Sequence, residues 1–140
     1  MGVVIDTSVL IAAERGVFDL PGFLTSLGDT PIALSAVTAS ELLHGVHRAR
    51  SASARAQRAQ YVESILANIP VLPFGLKEAR VHASLWANLA ATGQLIGAHD
   101  MLIAATALAM NSKIATLNRD KFRRVTKLSM ASIEKFLHEK

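Results

Sequence analysis

Val3-Val4-Ile5-Asp6-Thr7-Ser8-Val9-Leu10-Ile11 decides the fold. Three consecutive β-branched apolar residues read as a short strand buried on both faces, and Asp6, Thr7 and Ser8 are the residue types that end a strand and cap a helix. Ser8 to Arg15 then predicts a short helix, stopped at Gly16. The same alternation recurs along the chain. Asp19-Leu20-Pro21 opens a helix that runs out by Gly28, and Ile32 to Val37 reads as a second strand. Thr38 and Ser40 offer caps for a helix over Ala39 to Arg48, with Thr38 and Glu41 spaced as a capping box. A turn near Ser51 leads into a second helix through Val62, Ile65, Leu66 and Ile69. Val71-Leu72-Pro73-Phe74 is a third strand, and its Pro73 marks a strand end or a sheet edge. Helical spacing returns from Leu76 to Gly93 and from Asp100 to Asn111. Lys113 to Leu117 is a fourth strand, Lys127 to Met130 a fifth, and a last helix starts at Ala131 or Ser132. Strands alternating with helices predict an α/β fold, a mainly parallel central sheet of four to five strands flanked by helices, in a single domain over residues 1–140.

Composition narrows the function classes. The 140 residues are 51% hydrophobic and 19% charged, enough apolar material for a core and unlike a disordered chain. The most nearly apolar stretch, Met101 to Met110, is too short to span a membrane. Asp6 interrupts the N-terminal apolar run before a secretory h-region develops, so the expectation is a chain that stays in the cytoplasm. Cysteine is absent, which removes thiolate zinc sites, iron–sulfur clusters and cysteine nucleophiles together. P-loop, GxSxG and HExxH patterns are absent as well.

The acids carry the chemical signal. In a parallel α/β sheet, ligands sit beyond the carboxyl ends of the strands, where helix N-termini gather. Asp6 follows the first strand, Glu41 lies in the helix after the second, Asp100 opens a helix near His99, and Asp120 follows the fourth strand, with Asn118 just before it. Each of these acids alone fits a cap or a loop. Four at one sheet edge repel one another unless they share a cation, and oxygen-only ligands favour Mg²⁺ or Mn²⁺. Thr7 and Ser8, beside Asp6 at a helix N-terminus, are placed to hydrogen-bond a ligand carboxylate or a phosphate oxygen.

Four segments then stand out together: Val3 to Ile11, Ala39-Ser40-Glu41-Leu42-Leu43-His44-Gly45-Val46, Ile96-Gly97-Ala98-His99-Asp100-Met101-Leu102-Ile103-Ala104-Ala105, and Ala115-Thr116-Leu117-Asn118-Arg119-Asp120-Lys121-Phe122. In this order, over nearly the whole chain, they resemble the four motifs of PIN-domain ribonucleases, and in particular the VapC toxins of bacterial VapBC toxin–antitoxin pairs. The resemblance implies a metal-dependent endoribonuclease with a PIN-like domain. It matches Asp6, Glu41 and Asp100 to the family's metal-binding acids and leaves the fourth position between Asn118 and Asp120, of which Asp120 is favoured here as a catalytic second-metal or water-positioning group because it brings charge. It also implies a cognate antitoxin. The same sequence chemistry is compatible with a PIN-fold RNA-binding or interaction module that does not cleave, or with a housekeeping RNA-processing nuclease.

The bases fit a polyanionic substrate. Fifteen Lys and Arg face eleven Asp and Glu, and setting Asp6, Glu41, Asp100 and Asp120 aside leaves seven acids for the rest of the chain. Arg48, Arg50, Arg55 and Arg58 dot the helical pair. Lys113, Arg119, Lys121, Arg123, Arg124 and Lys127 surround strand four beside the proposed site, with Arg119, Arg123 and Arg124 read as phosphate contacts for RNA. Leu42, Leu43, Val46, Val62, Ile65 and Leu66 give the helical pair more apolar residues than one packed face needs. They fit a groove for an antitoxin helix, or else core positions or contacts of a homodimer.

Overall fold

A computed structural model describes residues 1–138. Its centre is a four-stranded sheet in the order β3-β2-β1-β4, with β1 at Val3–Ile5, β2 at Ile32–Ser35, β3 at Val71–Leu72 and β4 at Lys113–Ala115. Every pairing is parallel: Val3 lies opposite Ile32 on one side and Lys113 on the other, and Leu34 lies opposite Val71. All four carboxyl ends therefore share one edge. From β1 the chain builds outward to β2 and β3, then returns to place β4 on the other flank of β1. The strand order reverses at β1 and β4, and the crevice beyond their ends is where such sheets bind ligands.

The helices are α1 (Thr7–Glu14), α2 (Leu20–Leu27), α3 (Ala36–His47), α4 (Ala52–Asn68), α5 (Leu76–Ala91), α6 (Ala98–Ala109) and α7 (Arg119–Phe122), followed by a 3₁₀ turn at Glu134–Phe136. The pleat sorts the core into two layers. Val3, Ile5, Leu34 and Ala115 pack with Leu10, Phe23 and Val62 on one face. Val4 and Ile114 pack with Leu85, Leu89 and Ile103 on the other. Because both faces are covered, Val4 and Ile5 are 1% and 0% exposed, which is why β1 shows no polar alternation. Gly16, at φ +77°, ends α1 in a backbone conformation that a side chain disfavours. Tyr61 ties α4 to α1 by donating its hydroxyl to Leu10 O at 2.6 Å.

Several sequence expectations change here for identifiable reasons. The second strand ends at Ser35, not Val37, because the Ser35 hydroxyl accepts from Val37 N and Thr38 N at 3.0 and 3.2 Å and so starts α3 early. Thr38 is then a fully buried helix residue and cannot cap, so no box with Glu41 forms. Strand three stops at Leu72, before Pro73, and strand four at Ala115, where Thr116 turns inward. The fifth strand shrinks to one parallel bridge between Met130 and Ile114. The last helix is only the 3₁₀ turn, and Glu139 and Lys140 lie outside the described residues. Of the six apolar residues on the helical pair, Leu42, Val62 and Ile65 are core, Val46 and Leu66 pack partly against it, and Leu43 is exposed.

Candidate active site

Asp6 is the best-fixed acid. It stands between β1 and α1, its backbone N–H bonded to Ala115 O at 2.8 Å, so the first and fourth strands jointly set its position. Its carboxylate is buried, with 2% of the residue exposed. Ser8 Oγ and Thr116 Oγ1 both donate to Oδ2, at 2.6 and 2.9 Å. The two hydroxyls are themselves held, since Leu117 N donates to Ser8 Oγ and Asn118 N to Thr116 Oγ1. Burial pushes the Asp6 carboxyl above the usual carboxylate range, and the Ser8 and Thr116 hydroxyls offset only part of that.

Glu41 comes from α3. The early start of that helix moves it out of the capping turn and leaves its carboxylate available. Thr7 donates to Glu41 Oε1 at 2.6 Å and stands 3.0 Å from the buried Thr38 hydroxyl. His99 Nδ1 lies 3.4 Å from Oε2. Asp100 enters in the first turn of α6, where a helix N-terminus favours negative charge. Burial raises its pKa first, the negative charge of Asp6 raises it next and Glu41 adds to that; Lys121, with Nζ 3.8 Å from Oδ2, and His99 oppose the rise. Three acids from β1, α3 and α6 thus share one electrostatic environment beyond the sheet edge.

Oxygen donors of like charge, partly desolvated and opposed by one nearby lysine, suit a hard divalent cation. Among the described residues no three such groups stand close enough to hold one ion in common. A cation bound by all three has to draw them together or complete its shell with water. The donor set fits Mg²⁺ or Mn²⁺ in charge and chemistry.

The other sequence candidates are placed differently. Asp120 has a 95% exposed side chain paired with Arg123 Nη1 at 2.9 Å. Asn118 precedes α7, and its backbone is one hydrogen bond from the Thr116 hydroxyl that holds Asp6. Arg119 reaches back to Ala131 O at 3.3 Å and Glu134 Oε1 at 3.5 Å. Arg123 and Arg124 are exposed, and Arg124 also donates to Leu95 O at 2.8 Å. Sequence reasoning gave no role to Thr116 or Thr38 in holding the acids, nor to Lys121 as the counter-charge. Thr116 had a signal, because it is the residue that leaves strand four at the same edge as Asp6. Lys121 had none, since only folding brings α7 against the start of α6.

A parallel sheet of this order, with acids from three separate elements beyond its switch point, is the arrangement of an α/β domain that binds a ligand or ion at that edge. The chain belongs to the PIN-domain family, whose model matches residues 3–128. Within that family its relatives are VapC ribonucleases: it is 35% identical over 133 residues to "Ribonuclease VapC" of Rickettsia bellii, spanning 95% of this chain and 97% of that one. Among solved structures, VapBC2 of Rickettsia felis, bound to a DNA fragment from its promoter, is similar with a TM-score of 0.86 and 25% identity over 94% of this chain and 98% of that chain. VapBC-5 of Mycobacterium tuberculosis, a member of the VapBC family of toxin–antitoxin systems, is similar with a TM-score of 0.77 and 29% identity over 95% and 100% of the two chains.

Proposed function

We propose that the chain is the toxin of a type II toxin–antitoxin pair, a cytoplasmic endoribonuclease that hydrolyses RNA phosphodiesters with Mg²⁺ or Mn²⁺ held by Asp6, Glu41 and Asp100. The observation that carries this reading is the placement of three acids beyond one sheet edge: the buried Asp6 after β1, Glu41 bonded at 2.6 Å to the hydroxyl of Thr7 next to Asp6, and Asp100 in the first turn of α6. No helix among the described residues is long and apolar enough to cross a membrane. A divalent cation in this pocket supplies a Lewis acid that makes water nucleophilic near neutral pH and offsets phosphate charge. Ser8 and Thr116 fix Asp6 in one orientation, and Thr7 does the same for Glu41. Lys121 balances Asp100 and is near enough to meet a substrate phosphate. Arg119, Arg123 and Arg124 extend the positive surface along α7, with Arg119 tethered to the C-terminal segment. For the fourth polar position the reading favours Asn118 over Asp120, because the Asn118 backbone joins the Asp6 network while the Asp120 carboxylate pairs with Arg123 in solvent.

The partner reading rests on two supports. The similar solved proteins are VapBC assemblies, and a cavity of about 270 Å³ between α1, α3 and α4 runs up to Glu41 past Ile11, Leu42 and Arg48. A helical antitoxin segment lying there ends at the acids, and a basic side chain on it competes with the cation. The toxin acts as a homodimer in this reading. A PIN module that binds RNA without cutting it is the second reading, favoured by the neutral side chain of Asn118. Incubating the purified chain with total cellular RNA separates the two. Mg²⁺-dependent fragments that EDTA abolishes support the nuclease; binding without any fragments supports the module.

A further inference from the structure

We propose that the cavity between α5, α6 and the segment after α7 receives an unstacked base of the RNA substrate, with the adjoining phosphates on its cationic rim. The inference rests on the RNA-directed reading above and adds a recognition site to it. The cavity holds about 480 Å³, within the range of pockets that enclose small organic groups. Its floor is aliphatic: Leu85, Leu89 and Val125 are buried there beside Leu108. Arg80, Arg124 and Lys127 line it as well. No described acid pairs with any of those three, and among the described residues no acidic side chain lines the cavity.

An apolar floor beneath unpaired cations matches a nucleotide, which alternates a flat, weakly polar base with a charged phosphate. Ser84 and Asn88 add hydrogen-bonding groups at the wall, able to meet a base edge, and an arginine guanidinium offers a plane for stacking. Placement selects RNA over an unrelated anion. Lys121 touches Asp100 at 3.8 Å, and Arg124 N bonds Lys121 O at the end of the same helix. The Arg124 backbone at the cavity rim thus lies about one helical turn, roughly 5 Å, from the backbone of Lys121, whose ammonium meets Asp100. A strand cut at the acids and lying along α7 passes over that rim.

The test is fluorescence anisotropy of a labelled single-stranded oligoribonucleotide of mixed sequence, in EDTA so that binding is read without cleavage. A companion series moves a single abasic site along the strand. For the wild-type chain an abasic site at one register weakens binding roughly tenfold, while other positions matter little. Ser84→Trp, which fills the cavity, weakens binding of the intact strand to the same degree and removes the register dependence. Should that variant fail to fold by thermal melting, Arg80→Glu at an exposed rim position decides. It weakens binding roughly tenfold and lowers the salt slope by about one. Abasic effects independent of position, or unchanged binding by the cavity variants, overturn the proposal. Cleavage of the intact strand with added Mg²⁺ keeps the two claims apart. Cleavage without cavity dependence sinks the base pocket and spares the nuclease, and cavity-dependent binding without cleavage does the reverse.

Discussion

Asp6 and Asp120 are both acids just past a parallel strand, yet the fold treats them oppositely. Asp6 is buried, takes two hydroxyl hydrogen bonds and has an elevated pKa. Asp120 extends into solvent and meets Arg123 three residues on. The difference is backbone, not residue type. Asp6 follows the central strand β1, flanked on both sides, so its side chain must face the crevice. Asp120 lies inside α7, one turn after β4 ends, and the helix rotates it outward. A solvated i,i+3 pair contributes little, whereas a carboxylate buried and held by two hydroxyls is fixed in place and desolvated.

The largest effect that contrast predicts is on catalysis. Asp6→Asn and Asp100→Asn each lower the rate of RNA cleavage on the order of a thousandfold, while Asp120→Asn stays within about twofold. A comparable loss in Asp120→Asn breaks the distinction drawn between buried and solvated acid. Next come the positioning hydroxyls. Thr116→Ala and Ser8→Ala leave Asp6 chemically intact but free to turn, and lower cleavage by roughly 10- to 100-fold. Both variants raise the Mg²⁺ concentration needed for half-maximal rate, a shift that a purely structural role for either hydroxyl does not give.

Asp6 and Asp100 also predict an opposition between activity and stability. Their folded-state pKa values lie above the free value of 3.8, so the native state binds these protons more tightly than the unfolded chain. The destabilisation they cause is absent below 3.8 and complete above the raised values. From these two groups the metal-free protein therefore loses stability as pH rises out of the acid range, and at pH 7 Asp100→Asn raises its melting temperature by a few degrees. Mg²⁺ raises the wild-type melting temperature and leaves that of Asp100→Asn nearly unchanged. A smaller effect lies away from the site. Tyr61, pushed up to about 12 by burial and by Glu14, contributes stability fully present below pH 10 and lost as pH rises through 12. Tyr61→Phe abolishes that alkaline loss and costs about 1 kcal/mol of stability below pH 10 through the missing bond to Leu10 O, measurable by urea unfolding.

The same contrast shows what the sequence made legible. β1 is readable because a central parallel strand is apolar on both faces, and the strand-then-helix rhythm alone puts Asp6, Glu41 and Asp100 at one edge. The start of α3 is not, since Ser35, Thr38 and Ser40 are all competent caps and only the sheet register selects Ser35. The C-terminal segment after Phe122 misled for a different reason. Its apolar residues Val125, Leu128, Ala131 and Ile133 fill gaps in the two core layers, a demand set by tertiary packing that leaves no periodic signature. Lys121 shows the same limit at the site, because its role depends on α7 meeting α6.

The most direct test of the account is Mn²⁺ binding at pH 7, followed by electron paramagnetic resonance as free ion is lost, for the wild-type chain and Asp100→Asn side by side. Saturable binding by the wild type and at least tenfold weaker binding by the variant is the predicted result. Equal binding by the two proteins, or none by the wild type, contradicts a cation shared among Asp6, Glu41 and Asp100.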